Sequence, residues 1–260
     1  MSDHSRTKNV SARTLDLLGE AIVAGRYPPG SAVPPEPTLC DDFGVSRTVV
    51  REAVKALVAK GLVSTGPKVG TRVLAAEQWN WFDPQVVGWQ GKAGHTREFL
   101  RDVQELRRVV EPAAVRLAAE RATSGDIAQI EAAYAGMKEA IENGGDYVLF
   151  DLAFHQGLLR ACHNLMVVQM SKALGALLRT AFEISTSRPQ GAASSLPLHR
   201  AVLDAVIARD GAQAERASLF LIDSAGRDIE EILASRGKLP SVAAPPARLK
   251  GRGALVVKEN

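Results

Sequence analysis

Asp151 and His155 stand four residues apart, the spacing that puts two side chains on one face of a helix. Val148, Leu149, Leu152, Phe154 and Leu158 leave little of that segment polar, so the pair is expected in the interior. An isolated buried charge is too costly to keep, and a carboxylate and an imidazole there must be paired or metal-bound. His199 heads a later segment in which Val202, Leu203 and Val206 follow at i+3, i+4 and i+7, again on the apolar face. Asp/His/His is a workable first shell for a divalent metal such as zinc, with positions left open for a ligand. The spacing also fits an Asp–His hydrogen bond beside an unrelated core histidine, and the residues alone leave both readings open.

Arg107 is the second group of interest. It follows Val103 and precedes Val110 and Ala114 at helical spacing, which points a permanent charge along an apolar face. A buried arginine wants a carboxylate: either an internal partner such as Glu111, one turn on, or the carboxylate of a bound effector. Arg179 and Arg227 are lesser candidates for hydroxyl or carboxylate contacts. Asn164 either lines the same pocket or caps a helix.

A different chemistry is written between Phe43 and Gly61. Ser46 can cap a helix by accepting from free first-turn amides, Gly61 can end it in a left-handed residue, and Val45 and Val50 stand at the staple spacing. Val50, Ala53, Val54 and Leu57 form one apolar stripe, leaving Arg47, Thr48, Arg51 and Lys55 on the other side. Two arginines and a hydroxyl offered from the first turns of a backed helix suit a DNA major groove.

The flanks supply what such a helix needs. Thr14 to Ala24 reads as a helix with Leu15, Leu18 and Ile22 apolar, then comes the turn Tyr27-Pro28-Pro29-Gly30, and a short helix spans about Glu36 to Phe43. Pro37 suits the first turn of that helix, where a missing amide costs little. Downstream, 62–65 and 71–74 are β-like runs around Gly66-Pro67-Lys68-Val69-Gly70, a hairpin by its turn residues. Three helices and a two-stranded wing make a winged helix-turn-helix.

Beyond it the three tryptophans, Trp79, Trp81 and Trp89, gather in a segment expected to pack on one or both neighbours rather than hang loose. From Thr96 onward the pattern is helical, over about 97–121, 126–142, 146–162, 165–187, 197–209 and 211–235, with short breaks between. The expected fold is therefore mainly α: a flexible lead over 1–10, a winged helix-turn-helix over 11–75, a Trp-rich linker over 76–96, an all-α bundle over 97–235 that binds effector and dimerises, and a basic, disordered tail over 236–260.

Charge agrees with this division. The first 75 residues carry ten Lys/Arg against seven Asp/Glu and the last 25 carry six against one, so the centre is acidic although the chain is only +3 overall. No apolar run approaches a bilayer span, and the chain is expected to be cytoplasmic. Cys40 and Cys162 show no metal-ligand or redox spacing and read as reduced, buried thiols. No Ser/His/Asp set, phosphate loop or general base accompanies the Asp/His/His trio, and facial triads of iron enzymes usually sit on β scaffolds, so an enzyme is not expected.

The stretch from Ala21 to Val63, "AIVAGRYPPGSAVPPEPTLCDDFGVSRTVVREAVKALVAKGLV", with "KVGTRV" after it, resembles the DNA-binding domain of the GntR family of bacterial transcription regulators. "LRRVVEPAAVRLAAERAT", "FDLAFHQGLLRACHN" and "LHRAVLDAVIARD" resemble the effector (FCD) domain of its FadR branch. The resemblance implies that Ser46, Arg47, Thr48 and Arg51 contact double-stranded operator DNA, with the wing near Lys68 and Gly70 reaching the minor groove. Many members carry an arginine where Pro37 stands, so the phosphate or base contact implied at that position does not carry over to this chain. In the second domain it implies a metal held by Asp151, His155 and His199, and an effector carboxylate held by Arg107. A further histidine that many relatives carry falls here on Leu221, leaving three protein ligands. The function implied is a homodimeric repressor of a sugar-acid catabolic operon, released by a small organic acid such as D-galactonate. The alternative is a DNA-binding protein whose helical domain only dimerises.

Overall fold

The computed structural model describes residues 3–94, 96–187 and 190–235. They form two units, the first ending at Gly94. The tail expected over 236–260 lies outside the described residues.

In the first unit, helix α1 (Asp3–Val23), α2 (Glu36–Phe43) and α3 (Arg47–Ala59) precede strands β1 (Val63–Gly66) and β2 (Gly70–Val73). The strands pair antiparallel, Val63 opposite Val73 and Gly66 opposite Gly70. Lys68, at the tip, has a positive φ of 65°. Pro37 sits in the first turn of α2 and Gly44 closes that helix in the left-handed conformation. Leu18, Ile22, Leu39, Val50, Leu57, Val63 and Val73 make one core, which holds the back of α3 against α1 and the wing.

Two expectations are corrected here. Helix α1 begins at Asp3, so most of the lead expected to be flexible is helical. Residues 3–13 contain no Gly or Pro to stop a helix but too few apolar residues to announce one. The Trp-rich segment, expected as a linker, carries a 3-10 turn (Ala76–Gln78) and helix α4 (Pro84–Ala93), and both belong to the first unit. Trp79 and Trp89 join its core, and their indole N–H groups donate to the Leu74 carbonyl and to Asp16, each at 3.0 Å. Lys60 and Asp83, largely shielded, pair at 2.6 Å beside them.

The second unit holds α5 (Arg97–Arg121), α6 (Ser124–Asn143), α7 (Tyr147–Ala161), α8 (Leu165–Ser185), α9 (Gly191–Ile207) and α10 (Gly211–Ser235). Helix α5 packs against α7, α8, α9 and α10, and α7 against α5, α6 and α8. Thr123, Asp146 and Asn164 cap α6, α7 and α8 with side-chain oxygens, which is why the connections can be so short. Helix α9 starts at Gly191 rather than near residue 197, carrying Pro197 within its length. Among the described residues no single helix is long and apolar enough to cross a membrane.

Candidate DNA-reading surface and metal centre

Helix α3 presents the face its sequence predicts. The Ser46 hydroxyl accepts from the Val49 amide at 3.5 Å, and Val49, Val50, Ala53 and Leu57 are buried. Ser46, Arg47, Thr48, Arg51 and Lys55 are exposed, as are Lys68 and Gly70 on the wing. Two of these cations have neighbours that sequence reading missed. Arg51 Nε lies 3.1 and 3.0 Å from the two carboxylate oxygens of Glu36, and Lys55 is 2.9 Å from Glu52. The Arg51–Glu36 contact joins α3 to α2 across 15 residues, a separation that helical spacing cannot reveal.

In the second unit Asp151 and His155 project from α7 and His199 from α9, and all three are buried. One ligand atom from each lies within 4.8 Å of the other two. His199 Nε2 is 3.0 Å, and His155 Nε2 3.4 Å, from the same Asp151 oxygen, Oδ1. The outer ring nitrogens are held from behind. His155 Nδ1 is 2.6 Å from Glu111 Oε2, and His199 Nδ1 is 2.9 Å from the Ser195 carbonyl.

These contacts decide the tautomers. Burial alone would raise the Glu111 carboxyl, but the Arg107 guanidinium and His155 outweigh it and hold the group at about 2. An ionised carboxylate and a peptide carbonyl only accept, so both Nδ1 atoms carry hydrogen and donate. With Nδ1 occupied, each ring has only Nε2 left to face Asp151 Oδ1, and in its neutral form that nitrogen is a second acceptor, so a cation or a proton must stand between the two atoms. Burial pushes the Asp151 carboxyl up, but His199, His155 and Arg107 hold it below its ordinary value, so it too is an anionic donor. Histidines backed by a carboxylate or carbonyl, with Nε2 turned inward, are the arrangement divalent metals select, and N₂O donors suit zinc with positions left open. The residues therefore fit the group.

Arg107 is only 3 % exposed, and its Nε is 2.7 Å from Glu111 Oε1. Its guanidinium carbon lies 4.8 Å from the centre of the Phe182 ring. The same ring stands 4.7 Å from that of His155. Arg107, Asp151, His155 and His199 all border one small cavity, joined by Ser195 and Leu221. The cavity measures about 20 Å³, room for one water-sized body. Leu221 thus faces the site where a fourth histidine would be expected.

The remaining candidates are elsewhere. Arg179 is half-exposed and bonded to Glu183 at 2.8 Å. Arg227 borders a separate surface groove between α5 and α10, its guanidinium 5.8 Å from the Phe220 ring. The Asn164 side chain accepts from the Met166 and Val167 amides, the capping role. None of the three lines the metal-type cavity. Cys162 is buried as expected, Cys40 partly so, and both are unpaired thiols.

Comparison with known proteins meets this geometry at both units. Residues 11–73 match the family described as "Bacterial regulatory proteins, gntR family", and residues 102–223 match the FCD domain. The chain is 38 % identical over 234 residues to the galactonate operon transcriptional repressor of Escherichia coli K12, covering 87 % of this chain and 99 % of that protein. It is 31 % identical to the regulator LutR of Bacillus subtilis, covering 76 % of this chain and 91 % of LutR. A solved structure of Lar, whose title says that it controls the agr system of Listeria monocytogenes, superposes with a TM-score of 0.59 at 17 % identity, covering 85 % of this chain and 96 % of that one. These families and relatives are regulators rather than enzymes. The chain belongs to the GntR family, a DNA-binding transcription regulator with a winged helix-turn-helix followed by an FCD domain.

Proposed function

We propose that this regulator is a homodimeric, cytoplasmic repressor of genes for sugar-acid catabolism, released from its operator by a small organic acid such as D-galactonate. The observation that carries the reading is the convergence of Asp151, His155, His199 and Arg107 on one buried cavity. Asp151, His155 and His199 would hold a divalent cation such as zinc. When bound, the cation supplies positive charge and open coordination positions suited to a carboxylate. Arg107, which borders the same cavity, would engage the acid, and the Ser195 hydroxyl, which already donates to the Ala192 carbonyl, would accept from an effector hydroxyl. The similarity to the galactonate operon repressor supports the choice of acid.

The size of the cavity supports a conformational response. Room for one water-sized body does not admit a six-carbon acid, so binding would part some of the helices α5, α7, α8, α9 and α10 that supply its walls. In a dimer with two winged helices on an inverted repeat, such a movement would take the reading heads off their half-sites. Ser46, Arg47, Thr48 and Arg51 would read the major groove and Lys68 and Gly70 would approach the minor groove.

A gel shift with the promoter beside the gene, run with and without aldonic, uronic and hydroxy acids, tests this directly. Release by one acid class is the expected result. Retention of DNA with every acid, together with no thermal shift, would leave a regulator whose FCD domain only dimerises.

A further inference from the structure

Glu111 takes no direct part in the cavity, yet its two oxygens are divided between two groups that do. Oε1 accepts from Arg107 Nε at 2.7 Å and Oε2 from His155 Nδ1 at 2.6 Å. Its side chain is 2 % exposed, so no water competes for either oxygen. Gln104 Oε1 takes a further Arg107 proton, from Nη1 at 3.2 Å. The arginine therefore meets the cavity with its charge already opposed by a buried anion. The histidine meets it with its tautomer already chosen.

We propose that Glu111 is a positioning residue with opposed effects on the two ligands of this domain: it orients His155 toward a divalent cation and withholds the Arg107 charge from an incoming carboxylate. The inference rests on the sensing function proposed above. Its physical basis is that a carboxylate behind a histidine raises the ring's basicity as a ligand. The same carboxylate cancels much of the field an arginine presents to another anion, because buried charges interact strongly at such short range. An acid entering the cavity competes with Glu111 for one guanidinium. Glu111 thus sets how high the acid concentration must be before the domain responds.

The full-length Glu111→Gln variant separates this from a packing role. The amide keeps the size of the side chain and removes its charge. Zn²⁺ affinity, read by competition with a chromogenic chelator, is expected to fall 10- to 100-fold. D-galactonate affinity, read by calorimetry on both proteins saturated with Zn²⁺, is expected to rise several-fold, since Arg107 loses its resident anion. A residue that merely supports the fold would weaken both. If wild type binds both probes and the variant moves the two affinities in the same direction, or leaves either unchanged, this proposal is overturned while the sensing function stands. A wild-type chain that fails to bind either probe refutes the sensing function and this proposal with it. Should Glu111→Gln not fold, the ¹⁵N spectrum of wild-type His155 decides: a protonated Nδ1 in metal-free and Zn²⁺-loaded protein supports the assignment, and a bare or metal-bound Nδ1 refutes it.

Discussion

Arg51 Nε rests against both carboxylate oxygens of Glu36, and this contact fastens the reading helix α3 to α2 on the face proposed to meet DNA. The pair is well exposed, with side-chain accessibilities of 62 % and 39 %, so solvent screens it and its share of folding stability is under about 1 kcal/mol. Its weight is expected in operator binding instead. Arg51→Ala and Arg47→Ala are each expected to cost about 1 to 3 kcal/mol of operator affinity while leaving the urea midpoint nearly unchanged. Fluorescence anisotropy against a labelled operator measures the first quantity, and undiminished binding in both variants would remove these residues from the interface.

The proposed metal site predicts a linkage between ion and stability. A cation that binds only the folded chain adds about 2.7 kcal/mol at a hundred times its dissociation constant. Titrating Zn²⁺ into chelator-treated protein is expected to raise the melting temperature progressively. Asp151→Asn and His199→Ala are expected to flatten that curve. A wild-type melt indifferent to Zn²⁺ would leave the trio as a hydrogen-bonded cluster.

Glycine 61 is held by two constraints at once. Its φ is +72°, and a Cβ built there would stand 2.3 Å from the Gln78 carbonyl oxygen. Neither backbone can yield cheaply, so Gly61→Ala combines left-handed strain with an overpacked contact and is expected to cost about 2 to 4 kcal/mol. Chemical denaturation reads this, and a loss below about 0.5 kcal/mol would contradict the contact.

Acid should loosen the start of α6 before the bundle as a whole. The Thr123 hydroxyl donates to Asp126 at 2.6 Å and its amide at 2.8 Å, and His163 adds a third contact. Hydrogen bonding from the Thr123 side chain, opposed by slight burial and helped by the Thr123 amide and His163, holds the Asp126 carboxyl below its ordinary value. A lowered folded-state pKa means that this contribution is present above the unfolded value of about 3.9 and is lost as pH falls through the folded one. Amide protection factors in the first turn of α6, corrected for the intrinsic exchange rate at each pH, are therefore expected to fall on acidification below about pH 3.9, and Asp126→Asn should abolish that dependence. Thr123→Ala is expected to cost about 1 kcal/mol at neutral pH.

Local signals carried much of this architecture, and non-local ones carried the rest. Ser46 and Gly61 mark the ends of α3 because capping and left-handed termination are chemical properties of single residues. Asp151, His155 and His199 were legible from helical spacing within their own segments. Glu111 was visible only as a neighbour of Arg107; its second contact, with a residue 44 positions away, belongs to the packing of α5 on α7. Helix α4 was missed although Asp83 and Pro84 are a cap and a first-turn proline, since Gly88 and Gly91 dilute the apolar repeat. Arg179 and Arg227 show the converse limit: a charged residue in a helical segment says nothing about which cavity, if any, it borders.

The placement of the tryptophans gives each half of the chain its own spectroscopic address. Trp79, Trp81 and Trp89 all belong to the unit that ends at Gly94, and the FCD bundle contains none. Intrinsic indole emission is then a reporter for the winged helix alone, while far-ultraviolet dichroism is dominated by the long helices of the bundle. A melt followed simultaneously by both signals would reveal whether the halves come apart as one body or in turn, without any label being introduced.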